Sequence, residues 1–344
     1  RTCVAGLAAA SLAAWAMWWA TVTKSWYLEV AGLVSAGLAG PLLGNACTAL
    51  SGSWFSIDAR NFPTAVGSGG AGAVATALFN PYAVTAVRQL PFEFFLIALA
   101  TTVAALCFLL LYRESPPTPP SAEEPSAERT MRVGTTESLR AMATDPNVLI
   151  LLYCFALDGY GFGLILVTSI LTDIGYGQHE ADLVIAAASI GSMSSMLFAP
   201  VADRLKRRDE RWPVWLMQIC QGLSFLSTLA LSLVLRPGMF NAILFFFFLI
   251  GVTTSAAAPF LLELIAEVTY PAPESLSAGV SLTVFGLATF GFVQLSQVMK
   301  DDAPKGGNAY NTFFWLQNVL FLLSVVLLTF AFKADLKRTG CALR

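Results

Sequence analysis

The amino-acid sequence predicts an all-α membrane protein with ten transmembrane helices, four before a polar linker and six after it. Three observations carry this. Hydrophobic residues make up 56% of the 344-residue chain and charged residues only 12%, about half the ~25% that a water-facing globular domain carries. The apolar residues gather into runs close to the roughly 20 residues that cross a bilayer as a helix. One long stretch, 113–147, has no apolar face; it is rich in Pro, Glu, Ser and Arg. Such a stretch is too polar to bury a core, which predicts a flexible linker.

The spans are expected, in order, at 2–22, 27–50, 65–87 and 94–112, then at 148–172, 183–202, 212–235, 240–262, 275–299 and 310–332. Lipid cannot hydrogen-bond exposed backbone groups, so each run must close its own bonds as a helix. The organisation is therefore a four-helix N-terminal bundle over 1–112, a linker over 113–147, and a six-helix C-terminal bundle with a short tail over 148–344. The chain opens on Arg1, with no initiator Met and no cleavable leader. The true N-terminus is expected to lie upstream.

Orientation follows from Lys and Arg, which collect on the cytosolic side of short loops. With Arg1 placed inside, fifteen of the 20 basic residues fall on the inner side: Arg1, Arg60, the linker arginines, the cluster from Arg204 to Arg211, and the tail. Linker and C-terminus are expected in the cytosol. The reading favours the plasma membrane over an organelle. The net charge of −2 leaves no footprint for nucleic acid. The single histidine, His179, gives no basis for a His-ligated metal site, and no cofactor is expected. The six cysteines show no close pairing and read as small apolar residues. Gly67–Gly72 matches GxGxxG, but no strand precedes it, so small residues packing one membrane helix against another is the better reading. Pro81 should kink the same segment. The C-terminal Cys341-Ala-Leu-Arg ends on a poor residue for prenylation. No HExxH or GxSxG is present, so an enzyme is not expected.

Charge inside a bilayer is costly, roughly 2.5–3.5 kcal/mol at mid-helix, so each case needs a reason. Asp158 lies eleven residues into the fifth span. Three glycines loosen the helix around it, and Tyr160 and Phe162 present aromatic faces. Loosened helices at the midplane are where transporters build solute sites, and a carboxylate beside aromatic rings suits a cationic or hydroxyl-rich solute. Asn80 and Gln294, in otherwise apolar segments, complete the candidate solute contacts; Asn45 and Gln297 are weaker candidates of the same kind. Glu263 and Glu267 are four apart and share one helix face near the inner end. Asp203 and Arg204 open a basic run after the sixth span, and the Asp is expected to cap the next element.

The run Asp203-Arg204, with Arg207 and Arg208, resembles the D-R-x-x-R-[RK] signature of the major facilitator superfamily. It sits where that signature falls, between the second and third helices after the linker, with Ala199 and Lys206 where the family has Gly. The resemblance implies two six-helix bundles, so the first bundle would lack its first two helices. Two stretches resemble, more narrowly, the feline leukaemia virus subgroup C receptor-related branch (solute carrier family 49). One is Asn45 to Arg60, with Trp54-Phe55. The other is Leu262-Glu263, Glu267, Tyr270-Pro271 and Pro273-Glu274. Members of the branch move choline-like amines, haem-related compounds or vitamin-like solutes. The branch's helix-seven aromatic falls on Phe162, its helix-five Asn-Gln pair on Ala71 and Gly72, and its helix-eleven Gln on Val284.

The resemblance implies transport of a small organic solute by alternating access, with that solute and the bilayer as partners; the sequence does not fix the oligomeric state, and a monomer is the expectation. Arg60, Asp203, Arg204, Glu263 and Glu267 would clasp the inner side when the carrier faces outward. The alternative is a membrane receptor or scaffold that keeps the fold without transport.

Overall fold

The computed structural model describes residues 2–55, 61–67, 89–112, 134–159, 166–206, 212–300 and 308–333. Among these every regular element is a helix. In chain order they are α1 (Thr2–Thr23), α2 (Trp26–Trp54), α3 (Asn61–Ala65), α4 (Leu90–Leu111), α5 (Thr135–Thr144), α6 (Pro146–Gly159) and α7 (Val167–Ile174). They continue with α8 (Gln178–Ser192), α9 (Ser194–Lys206), α10 (Trp212–Val234), α11 (Phe240–Thr269), α12 (Glu274–Val298) and α13 (Asn311–Val326), the last running into a π-helical turn at Leu327–Ala331. Eight stretches among the described residues are long and apolar enough to cross a membrane, with α8 and α9 counted as one, and Pro146–Leu157 is a shorter apolar helix. Of the expected third span, only its first residues fall within the described part; Asn80 and Pro81 lie outside it.

The chain divides into two compact units, Arg1–Phe55 with Tyr82–Ala122, and Ser56–Pro81 with Glu123–Arg344. In the first, α1 packs against α2 and α4. Trp15 Nε1 donates to Thr102 Oγ1 at 2.9 Å, and Trp15 and Trp18 set their rings edge-on or tilted to Phe95. These contacts tie α1 to α4, while large apolar side chains such as Leu33, Leu38 and Leu110 stay exposed. An apolar outer surface of this kind belongs in lipid; water-soluble monomers rarely keep one.

In the second unit the buried side chains form two clusters, and membership sorts the helix ends. One cluster takes in 166–188, 231–250 and 309–321. The other takes in 142–155, Ala202, 217–220, 256–268, Ala278 and Leu328. Successive segments therefore run alternately from one end of the bundle to the other. α8 and α11 approach at backbone distance. A Cβ added at Gly191 would stand 2.2 Å from the Phe248 carbonyl oxygen, and one at Gly251 would stand 2.1 Å from that of Ala188. Only glycine fits such a crossing, the small-residue packing that holds membrane helices together without a hydrophobic driving force.

A polar seam joins α10 to α13. Gln218 Nε2 donates to the Leu328 carbonyl at 3.0 Å, Ser324 Oγ to Gln221 Oε1 at 3.1 Å, and Asn318 Nδ2 to Ser232 Oγ at 2.8 Å. The first bond lands on the π-helical turn, where the helical ladder changes register and a carbonyl needs a new partner.

The last third of the expected linker differs from a flexible connection. Residues 135–144 form α5, belonging to the second unit, with Ser138 and Met142 buried. Their spacing of four residues puts both on one face, and Met142 joins the second cluster. One apolar anchor on a good helix-forming stretch is enough to order it.

Candidate functional site

Of the residues expected to form an inner clasp, Asp203 and Arg204 lie on α9 and Glu263 and Glu267 on α11. α9 and α11 pack against each other, and α3 packs on both, with Thr64 and Ala65 buried. Asp203 lies in the last turn of α9 and is buried. It is not a cap of the following helix, because α9 continues through Lys206 and α10 starts only at Trp212. Arg204 beside it is exposed. Glu263 is half-buried and Glu267 is 3% exposed, near the end of α11. Asp203, Glu263 and Glu267 each engage a polar or electrostatic partner. Arg60, immediately ahead of α3, lies outside the described residues.

The length of α11 explains how it can carry two acids. Its 30 residues span roughly 45 Å at 1.5 Å per residue, against about 30 Å of hydrocarbon. An upright helix of that length outruns the apolar slab by about ten residues, and Glu263 and Glu267 lie within its last seven. Pro259 inside the helix removes one backbone donor just before them.

Of the expected solute contacts, Asp158 falls in the last turn of α6 and Gln294 on an exposed position of α12. The Asp158 side chain, Tyr160, Phe162 and Asn80 lie outside the described residues. Among the described residues no group of three or more His, Cys, Asp or Glu could hold a metal.

Two polar features escape a reading of the sequence. At the far end of the second unit, Lys300 Nζ meets Asp173 Oδ2 at 2.8 Å and stands 5.1 Å from the centre of the Tyr310 ring. The pair ties the end of α7 to the residues flanking α12 and α13, and the hydrogen bond to Asp173 raises the Lys300 pKa. Within the bundle, Gln317 is 1% exposed and neither atom of its amide has a hydrogen-bond partner. No sequence signal marks Asp173; for Gln317, an amide in an apolar run is the available hint.

A family model described as "Major Facilitator Superfamily" matches residues 1–299. The chain belongs to that superfamily. Solved structures of the same fold include a variant of the E. coli fucose:proton symporter FucP, 13% identical, covering 95% of this chain and 83% of that one with a TM-score of 0.58. The human organic anion transporter MFSD10 (TETRAN) is 17% identical, covering 95% and 75%, with a TM-score of 0.62. A bacterial homologue of the iron transporter ferroportin, in an outward-facing state, is 14% identical, covering 94% and 82%, at 0.54. No curated protein matches the sequence. At these identities the likeness is one of fold, and membership of the superfamily rests on the family match.

Proposed function

We propose that this superfamily member is a solute carrier with ten spanning helices in this chain, four and six about the polar stretch, that moves a small organic solute by alternating access. Family membership carries the reading, and the end-to-end alternation of segments in the second unit supports the count of six after the polar stretch. The solutes named for the similar folds, a sugar, an organic anion and iron, differ so widely that fold does not choose among them. The choice rests on sequence. The Glu263, Glu267, Tyr270, Pro271 and Glu274 pattern points to the solute carrier family 49 branch, and so to a choline-like amine, a haem-related compound or a vitamin-like solute.

Asp158, Tyr160, Phe162, Asn80 and Gln294 are the solute contacts in this reading, and Arg60, Asp203, Arg204, Glu263 and Glu267 the inner clasp. The packing of α3 on α9 and α11, and of α9 on α11, is what supports the clasp. The orientation, with polar stretch and C-terminus in the cytosol, rests on the fifteen-to-five split of basic residues. The test is uptake of labelled choline, haemin and riboflavin by the full-length protein in vesicles. At least one should enter saturably, with uptake reduced by Asp158→Asn and by Phe162→Ala. Entry of none would overturn the solute class, and unchanged kinetics in both variants would overturn the site.

A further inference from the structure

We propose that Cys3 and Cys47 form a modification site, a facing pair of thiols that a disulfide oxidant closes into a bond between α1 and α2. Register brings them together. Only Lys24 and Ser25 separate the two helices, which therefore run antiparallel. A Cβ added at Gly6 would stand 3.1 Å from Leu42 Cβ and 3.0 Å from Leu43 Cγ, which sets residue 6 against 42–43. Gly32 fixes the same register farther along, against Met17 and the Ala13 carbonyl. Cys3 lies three residues before Gly6 and Cys47 four after Leu43, so each shares the face its neighbour turns to the other helix. Both are displaced from the Gly6 crossing toward the same end, and at 1.5 Å per residue their levels differ by only roughly 1.5–3 Å.

The packing suits a bond. α2 packs chiefly on α1, and the buried residues along the seam are small: Gly6, Ala13, Ala39 and Ala46. Small residues let helix backbones approach closely, and a disulfide needs Cα atoms about 4.4–6.8 Å apart. Both thiols are free and half-buried, and the two interact electrostatically. The Cys47 thiol donates to the Leu43 carbonyl at 3.3 Å, a weak bond that a change of rotamer releases. An oxidant can reach them. The 22 residues of α1 cover about 33 Å, close to the thickness of the hydrocarbon, so Cys3 in the first turn stands at its edge. Cys107, exposed on α4, serves as the internal control for a thiol that is merely accessible.

With oxidised glutathione as the oxidant, one cysteine thiolate attacks its S–S bond and expels a glutathione thiolate. The second cysteine thiolate then attacks the cysteine sulfur of the mixed disulfide and expels the other. One S–S bond breaks and one forms, two electrons pass to the oxidant, and the two cysteine protons end on the two released glutathiones. The experiment treats the full chain in lipid nanodiscs with oxidised glutathione, digests it without reductant and reads the peptides by mass spectrometry. A peptide joining Cys3 to Cys47 should appear and vanish on adding dithiothreitol, while Cys107 carries at most a glutathione adduct. Cys3→Ser and Cys47→Ser should each abolish the joined peptide and leave a stable adduct on the remaining cysteine. Oxidation should raise the melting temperature of the wild type and leave that of either variant unchanged, because the bond restrains the unfolded chain. The joined peptide is read in the unsubstituted chain, so the test stands even where a variant fails to fold. Adducts on Cys3 and Cys47 without the joined peptide, or no reaction at either, would overturn the site.

Discussion

The glycine crossing of α8 and α11 gives the sharpest test of the packing. In Gly191→Ala the new methyl would stand 2.2 Å from the Phe248 carbonyl oxygen and 2.9 Å from the Val252 nitrogen. Carbon and carbonyl oxygen meet comfortably at about 3.3–3.6 Å, so the helices must part by roughly 1 Å. Both neighbours are backbone atoms, which cannot swing aside as a side-chain tip can. A radial gap of 0.5–1 Å forfeits about a quarter to a half of each van der Waals well along the seam, and forced overpacking costs about 1–3 kcal/mol. The separation also strains the bond from Ser194 Oγ to the Val252 carbonyl, 3.0 Å in length. A loss near 3 kcal/mol corresponds to a fall in Tm on the order of 6–12 °C for a unit of this size. Gly222, in the middle of α10, has nothing within 4 Å of an added Cβ. Gly222→Ala should therefore raise stability by up to about 1 kcal/mol through helix propensity. Thermal melting of the purified protein measures both. If Gly191→Ala melts with the wild type, or shifts in the same direction as Gly222→Ala, the close crossing is wrong.

Other outcomes follow from the same structure. Gln221→Leu with Ser324→Ala should destabilise by no more than about 1 kcal/mol together, because interhelical hydrogen bonds in membranes average about 0.6 kcal/mol; denaturant midpoints would check it, and a loss of several kcal/mol would contradict it. The Lys300–Asp173 pair has its lysine pKa raised above 10.5 in the folded state. Its contribution is thus fully present below that value and is lost only as pH rises through the higher folded pKa. With the lysine side chain 40% exposed, the pair is worth about 0–1 kcal/mol. Lys300→Met should lower Tm slightly and equally at pH 6 and pH 8; a difference that grows between those pH values would refute the assignment. Glu267→Gln should cut transport while leaving the fold intact, read as initial uptake rate beside a melting curve, and wild-type uptake would remove Glu267 from the clasp.

The helices are legible in the sequence because the bilayer sets their length and composition. Expected 212–235 is found as Trp212–Val234, and expected 275–299 as Glu274–Val298. Helix ends are harder where a span outruns the slab: α11 continues to Thr269, seven residues past the expected Leu262, because nothing apolar marks a helix that leaves lipid intact. Short elements such as α3 and α5 owe their order to tertiary seats, Thr64 and Ala65 for one and Met142 for the other, which no periodicity announces. Asp203 stands at the expected place along the chain but not in the expected capping role, since its burial depends on neighbours distant in sequence. Asp173 and Lys300 are more than a hundred residues apart, and only the fold shows that they meet. Glu263 and Glu267 are readable as a pair from the sequence alone, because a four-residue spacing on a helix fixes a shared face.

Whether this chain carries a solute through two alternating states is tested most directly by counterflow. Vesicles containing the full-length protein are preloaded with an unlabelled compound from the choline, haemin and riboflavin set, and entry of the labelled compound is followed. The account predicts faster labelled entry into loaded than into empty vesicles, since a carrier returns more readily when occupied. Labelled entry that is absent, or that rises linearly with concentration and ignores the preload, would contradict it.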